Sequence, residues 1–256
     1  MLNTETLFVG QNAIYLQTVD STNAYAHELI AKNKPTAGTV IWAGSQTAGR
    51  GQIGSRWLTQ PFQNITASFI LTPHFLNINS QFVLNQAIAL AICDLLWSIN
   101  LSPERVKIKW PNDIYIDNDK VAGVLIENII EKSAIKYSIV GVGLNVNQSE
   151  FELTLKNPSS IFIKTGQNFE ITQLLSALCR FIEYRFLQVQ AQKIAELKAT
   201  YTQNLFRYQE FAFFSIVENQ EIIQAQILGV SPAGKLIVQQ ENQLREFSIK
   251  EIQFII

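Results

Sequence analysis

Between Arg105 and Asn147 four strand-like runs follow one another with no helical segment between them. Arg105-Val106-Lys107-Ile108-Lys109-Trp110 alternates strictly, so Val106, Ile108 and Trp110 share one face and Lys107 and Lys109 the other. Ile114 to Ile116, Val121 to Ile126 and Tyr137 to Val142 are the other three runs, and Asp117-Asn118-Asp119-Lys120 has the residue types of a hairpin turn. Parallel neighbours need crossovers of about a dozen residues or more, usually helical. The gaps here are shorter. The chain is therefore expected to be α+β, a mainly antiparallel mixed sheet with helices packed on one side.

The flanking segments fit that plan. Residues 13 to 19 read as a strand, and Asp20-Ser21-Thr22-Asn23 supplies N-caps for a helix to about Ala31. Strands are expected at 39 to 43 and 65 to 71, and helices at about 80 to 100, 171 to 188 and 191 to 204. Asn85, Gln86 and Asp94 interrupt an otherwise membrane-length apolar run, which reads as a core helix rather than a span. Beyond Phe206 the pattern turns to short β runs at 211 to 217, 221 to 230, 235 to 239 and 246 to 255. Two units are expected, residues 1–205 and a small C-terminal β-barrel of residues 206–256.

A glycine-rich loop, Gly44 to Trp57, follows the strand at 39 to 43 and holds four of the chain's 12 glycines together with Arg50 and Arg56. Its backbone can approach an anion closely, and Arg50 adds a planar fork suited to carboxylate or phosphate. Gly49-x-Gly51-x-x-Gly54 also satisfies the dinucleotide fingerprint, but no helix signal opens at Gly54 and no acidic residue occurs between Arg56 and Ser80. That reading is rejected. A phosphate-binding GxxxxGK[ST] is absent too.

Apolar residues make up 47% and charged residues 16% of the 256, which excludes a disordered chain. A net charge of −1 gives no whole-protein attraction to nucleic acid or anionic membrane, so any basic site must be local. Two histidines far apart in sequence, His27 and His74, offer little for a zinc site or a triad. Cys93 and Cys179, in apolar helical contexts, read as reduced buried thiols. No export signal is seen at the N-terminus, and a cytoplasmic location is expected.

Three further polar clusters lie at strand ends or turns: Lys109-Trp110-Pro111-Asn112-Asp113, Lys120 before Val121-Ala122-Gly123, and Gly141-Val142-Gly143-Leu144-Asn145-Val146-Asn147. With the glycine loop and Ser21-Thr22-Asn23, the combination GRGxxGxxW, KWPND, KxAGxLxE and GxGxNxN resembles the biotin protein ligase family across the body of the chain. The resemblance implies a class II synthetase-like fold with an SH3-like C-terminal unit. It implies activation of biotin by ATP as biotinyl-5′-AMP, with Mg2+, and transfer to a lysine of a biotin carboxyl carrier domain. In this resemblance Lys120, Arg50 and Asp113 are the catalytic candidates. Biotin would meet Ser21, Thr22, Asn23, Gln46, Arg50, Gly51, Gln52, Lys120 and Gly123. ATP would meet Gly49, Arg50, Trp57, Lys109, Asn112, Asp113 and Asn145. No metal ligands are assigned.

Many family members carry GRGRxG, whereas this chain has Gln52 at the second arginine. Only 20 residues precede Ser21, too few for the winged helix of the repressor type. The expectation is a ligase-only protein, monomer or homodimer, without specific nucleic-acid or membrane binding. Two readings compete: a lipoate-type acyl ligase of the same fold, and a silent biotin- or adenylate-sensing module.

Overall fold

The computed structural model describes residues 2–256. Seven strands, β1 (Ala13–Val19), β2 (Thr39–Gln46), β3 (Asn64–Leu71), β4 (Val106–Lys109), β5 (Asp113–Ile116), β6 (Asp119–Glu131) and β7 (Ala134–Asn145), form one sheet in the order β1-β2-β3-β7-β6-β5-β4. β1 and β2 run parallel, joined through helix α1 (Thr22–Lys32). The other neighbouring pairs are antiparallel, as the short connections between 105 and 147 require.

The remaining helices are α2 (Phe82–Ser98), α3 (Ile161–Thr165), α4 (Ile171–Gln190) and α5 (Ile194–Gln203). α3 is a single turn with no periodicity to betray it; the Ser160 hydroxyl caps it by accepting the Ile163 N–H at 3.1 Å, and Gly166 at φ +72° ends it. Side chains alternate across the sheet. Val40, Ala67, Phe69, Leu71, Val140, Val142 and Leu144 share the main core with α2, α4 and α5, whereas Ile41, Ile70 and Ile139 pack with Ala26 of α1. Helices on one side therefore describes α2, α4 and α5; α1 lies across the opposite face, where the cleft forms.

Ile78–Ser98 is long and apolar enough to cross a bilayer, yet every residue from Val83 to Cys93 is buried inside the fold. The polar interruptions have specific partners. Asn85 donates to the carbonyl of Pro111 at 2.8 Å, and Asp94 holds Arg185 of α4 through two bonds of 2.7 and 2.8 Å. Near the N-terminus the Glu183 carboxylate accepts the backbone N–H groups of Leu7, Phe8 and Val9 at 2.7, 2.7 and 3.0 Å, fixing that segment to α4.

Strands β8 (Phe211–Ile216), β9 (Ile222–Val230), β10 (Leu236–Gln240), β11 (Gln243–Phe247) and β12 (Ile252–Phe254) make a second, antiparallel sheet in the order β11-β10-β9-β8-β12. The run expected as one strand at 246 to 255 is two. A turn closed by the Ser248 N–H on the Glu251 carboxylate, 2.6 Å, carries the chain from one edge to the other and gives the unit its small barrel-like form. Contact with the first sheet is specific: the Ile108 N–H donates to the Asn204 carbonyl and the Phe206 N–H to the Ile108 carbonyl, both at 2.8 Å, on either side of the Leu205 bridge, and Trp110 Nε1 donates to the Gly234 carbonyl at 3.0 Å.

Candidate active site

A cleft of about 420 Å³ opens on the α1 face of the large sheet. Its floor is glycine. Gly123 of β6 pairs with Gly143 of β7, and Gly141 lies two residues along the same face. The indole of Trp57 lies on Gly143, and the Asn23 amide lies on Gly141, in space that a Cβ at either glycine would occupy. This is why the GxG of the last motif is built from glycine. Gly143→Ala is expected to expel the indole, red-shifting tryptophan emission and lowering unfolding stability by about 1–3 kcal/mol.

One end of the cleft is polar and uncharged. Ser21 caps α1, its hydroxyl accepting the Ala24 N–H at 3.4 Å. The Thr22 N–H and hydroxyl lie 2.8 and 3.1 Å from Gln46 Oε1, and Ser68 Oγ is 2.7 Å from Thr22 Oγ1 and 2.6 Å from Asn23 Oδ1. The other end is cationic. The glycine loop closes as a small hairpin, with Gly51 N–H on the Ser55 carbonyl at 2.8 Å, Trp57 N–H on the Gly49 carbonyl at 3.0 Å, and Arg50 bridged to Arg56. Both arginines and Gln52 line the cleft.

Opposite the loop, Lys120 Nζ stands 2.6 Å from Asp113 Oδ1 and 5.5 Å from the centre of the Trp57 ring. Loop 157–159 holds the Lys120 backbone on both sides, through Lys120 N–H to the Asn157 carbonyl at 2.7 Å and Ser159 N–H to the Lys120 carbonyl at 2.9 Å. Lys109 Nζ lies between the rings of Tyr115 and Phe254, 5.5 and 5.1 Å from their centres. Burial holds its ammonium below the usual lysine range; Asp113 opposes the shift, and Lys120 and Lys156 add to it. Asn112 is clamped to β6, its amide donating to the Val124 carbonyl and its own carbonyl accepting the Val124 N–H. The preceding turn, whose Trp110–Pro111 peptide is cis, is held by Asn85 and by the Tyr201 hydroxyl, 3.0 Å from the Pro111 carbonyl.

Two residues expected at the nucleotide lie off the cleft wall. Gly49 lines a separate hollow behind the glycine loop, shared with Gln148 and Glu150. Asn145 is buried and donates to the Ser159 carbonyl at 2.9 Å, so its contact is with the loop that grips Lys120. The other candidates named from the sequence all line the cleft. The structure adds Lys156 and the segment from Ile249 to Phe254, which belong to no local motif, and brings Arg56 of the glycine loop to the same wall.

The electrostatic result is a strong local imbalance. Among the described residues the cleft is lined by Arg50, Arg56, Lys109, Lys120, Lys156 and Lys250, against a single carboxylate, Asp113, in a chain of net charge −1. Such a site binds anions of more than one charge beside a neutral polar group. No cluster of three or more His, Cys, Asp or Glu side chains able to hold a metal ion is present among the described residues.

An α+β sheet with a glycine-floored cleft, cationic at one end and hydrogen-bonding at the other, defines a protein built to bring a small polar ligand against a polyanion. Residues 15–145 match the biotin/lipoate A/B protein ligase family, and the chain belongs to that family. It is 33% identical over 187 residues to the bifunctional ligase/repressor BirA of Bacillus spizizenii, a match covering 71% of this chain and 56% of the relative. It is 30% identical to the biotin–[acetyl-CoA-carboxylase] ligase of Paracoccus denitrificans over 64% of this chain and 68% of that one. Among solved structures, biotin protein ligase from Aquifex aeolicus in complex with biotin and ATP superposes with a TM-score of 0.77 at 27% identity, covering 95% of this chain and 98% of that one.

Proposed function

We propose that this chain is a biotin–protein ligase, forming biotinyl-5′-AMP from biotin and ATP and transferring the biotinyl group to a lysine of a biotin carboxyl carrier domain. The observation that carries the reading is the cleft itself: six cations and one carboxylate beside a wall of neutral hydrogen-bonding groups. Ser21, Thr22, Asn23 and Gln46 line the cleft with uncharged hydroxyl and amide groups, which favours biotin's ureido over the dithiolane of lipoate. Lys120, Asp113 and Arg50 all line the same cleft, which favours turnover over a silent sensor.

In the first half-reaction a biotin carboxylate oxygen attacks the α-phosphorus and pyrophosphate leaves. The two anions repel, so Arg50, Lys109 and Lys120 are assigned to neutralising them as the bond forms. In the second, the acceptor amine attacks the acyl carbon and AMP leaves; Asp113, within reach of the same centre, orients the amine or takes its proton. Trp57 and Asn112 are assigned to the nucleotide side. Magnesium would enter with ATP and help to neutralise its phosphates; Asp113, the single carboxylate lining the cleft among the described residues, does not make a metal site alone, so the ion would be held mainly by ATP itself. Residues 1–205 form the catalytic unit, and residues 206–256 complete the cleft through Ile249 to Phe254. The working state is a monomer or homodimer, cytoplasmic, with no specific nucleic acid.

Biotin-dependent exchange of labelled pyrophosphate into ATP, followed by transfer to a purified carrier domain, tests the proposal. Exchange supported by lipoate and not by biotin would overturn it. Gln52→Arg adds a charge to the cleft wall and is expected to slow release of the adenylate by about 1 kcal/mol, roughly fivefold, measured by filtration of preformed labelled intermediate.

A further inference from the structure

The last residue of KxAGxLxE, Glu127 of β6, has no part in the chemistry above and does not line the cleft. Its Oε2 nevertheless accepts the Asn23 amide Nδ2 at 2.7 Å and lies 3.5 Å from His27 Nε2. Asn23 and His27 are one turn apart on α1, so both reach the same carboxylate from one helix face. The Asn23 amide is confined on its other sides, by Gly141 beneath it and by Ser68 Oγ at 2.6 Å from Oδ1.

We infer that Glu127 is a positioning residue for the ureido-binding wall, setting which end of the Asn23 amide is presented to ligand; the inference rests on the proposed biotin specificity. An ionised carboxylate only accepts, so it fixes Nδ2 toward itself and Oδ1 toward Ser68. The single Ser68 proton is thereby committed to Asn23 Oδ1. Gln46 Oε1 is occupied in the same way by the Thr22 N–H at 2.8 Å. The carbonyl ends of Asn23 and Gln46 are thus engaged inside the wall, and the second Asn23 N–H and the Gln46 amide N–H groups are left to ligand. A wall of that polarity selects a ligand with a carbonyl acceptor at this place. A glutamine at 127 can donate as well as accept, and the amide loses its fixed sense.

The test is a double-mutant cycle on the full chain. Glu127→Gln is expected to weaken biotin binding, measured by titration calorimetry, roughly tenfold while leaving the KM for ATP within twofold. In the Asn23→Ala background the same change should have no further effect on biotin affinity. Equal biotin affinity in Glu127→Gln, a parallel loss for ATP, or a penalty that persists undiminished beside Asn23→Ala would each overturn the positioning role. A parent chain that binds no biotin would overturn the functional reading, and this inference with it. Thermal unfolding of each variant separates misfolding from these outcomes, and Glu127→Ala, which cannot donate, should show the same restriction of its effect to biotin.

Discussion

Lys120→Ala is expected to reduce formation of labelled biotinyl-AMP in a single turnover by about a thousandfold. The side chain is 30% exposed and its backbone is gripped by Asn157 and Ser159, so the substitution leaves the local fold intact and the loss is chemical. Two effects combine. A cation assigned to both reacting groups disappears, and Asp113, formerly 2.6 Å from the ammonium, faces the incoming anions without it. Lys120→Ala with Asp113→Asn should therefore bind ATP more tightly than Lys120→Ala alone, while remaining inactive in transfer. Arginine is a poor replacement, because the ammonium sits between Trp57 and Asp113 and a planar fork has different needs. A Lys120→Ala rate within tenfold of the parent would remove Lys120 from the chemistry.

Asp94→Ala is expected to be the most destabilising of the simple substitutions, lowering unfolding free energy by about 3–5 kcal/mol in a denaturant titration. The pair with Arg185 is only 10–12% exposed at its side chains and ties α2 to α4 in the middle of the core. Without the carboxylate the guanidinium keeps the Gln188 Oε1 hydrogen bond at 2.9 Å and the Tyr184 ring, 5.4 Å from its centre, but no counter-charge among the described residues, and cannot return to water without disturbing α4. Asp94→Leu with Arg185→Met should recover much of the loss, since the cost lies in an unpaired buried charge and not in a missing attraction. A loss below 1 kcal/mol for Asp94→Ala would show that the site admits water.

These two residues show what was legible in the sequence. Asp94 and Asn85 were visible as breaks in an apolar run, which was enough to reject a membrane span but not to name Arg185 or Pro111, because partners from distant elements leave no local pattern. The antiparallel sheet was legible from alternation and short gaps. The side taken by α1 was not, since its buried residues include Thr22 and Asn23, whose polarity hides the helix's inward face. Strands β11 and β12 read as one because their separating turn, Ser248 to Glu251, lacks glycine and proline. In the site, glycine and charge at strand ends marked the cleft's floor and Lys120. Lys156 and Phe254 arrive by tertiary approach, and motif membership alone did not tell which side of its loop Gly49 would face.

The Phe254 ring over Lys109 ties the second sheet to the chemistry of the first. Walls of the cleft come from residues as early as Ser21 and as late as Phe254. A change that loosens the second sheet would leave the large sheet, α2 and the Lys120–Asp113 pair in place. Lys109 would then lose part of the burial that holds its ammonium down, and the cleft would lack one side. The two sheets are thus one functional unit, since neither alone holds the full set of the cleft's walls.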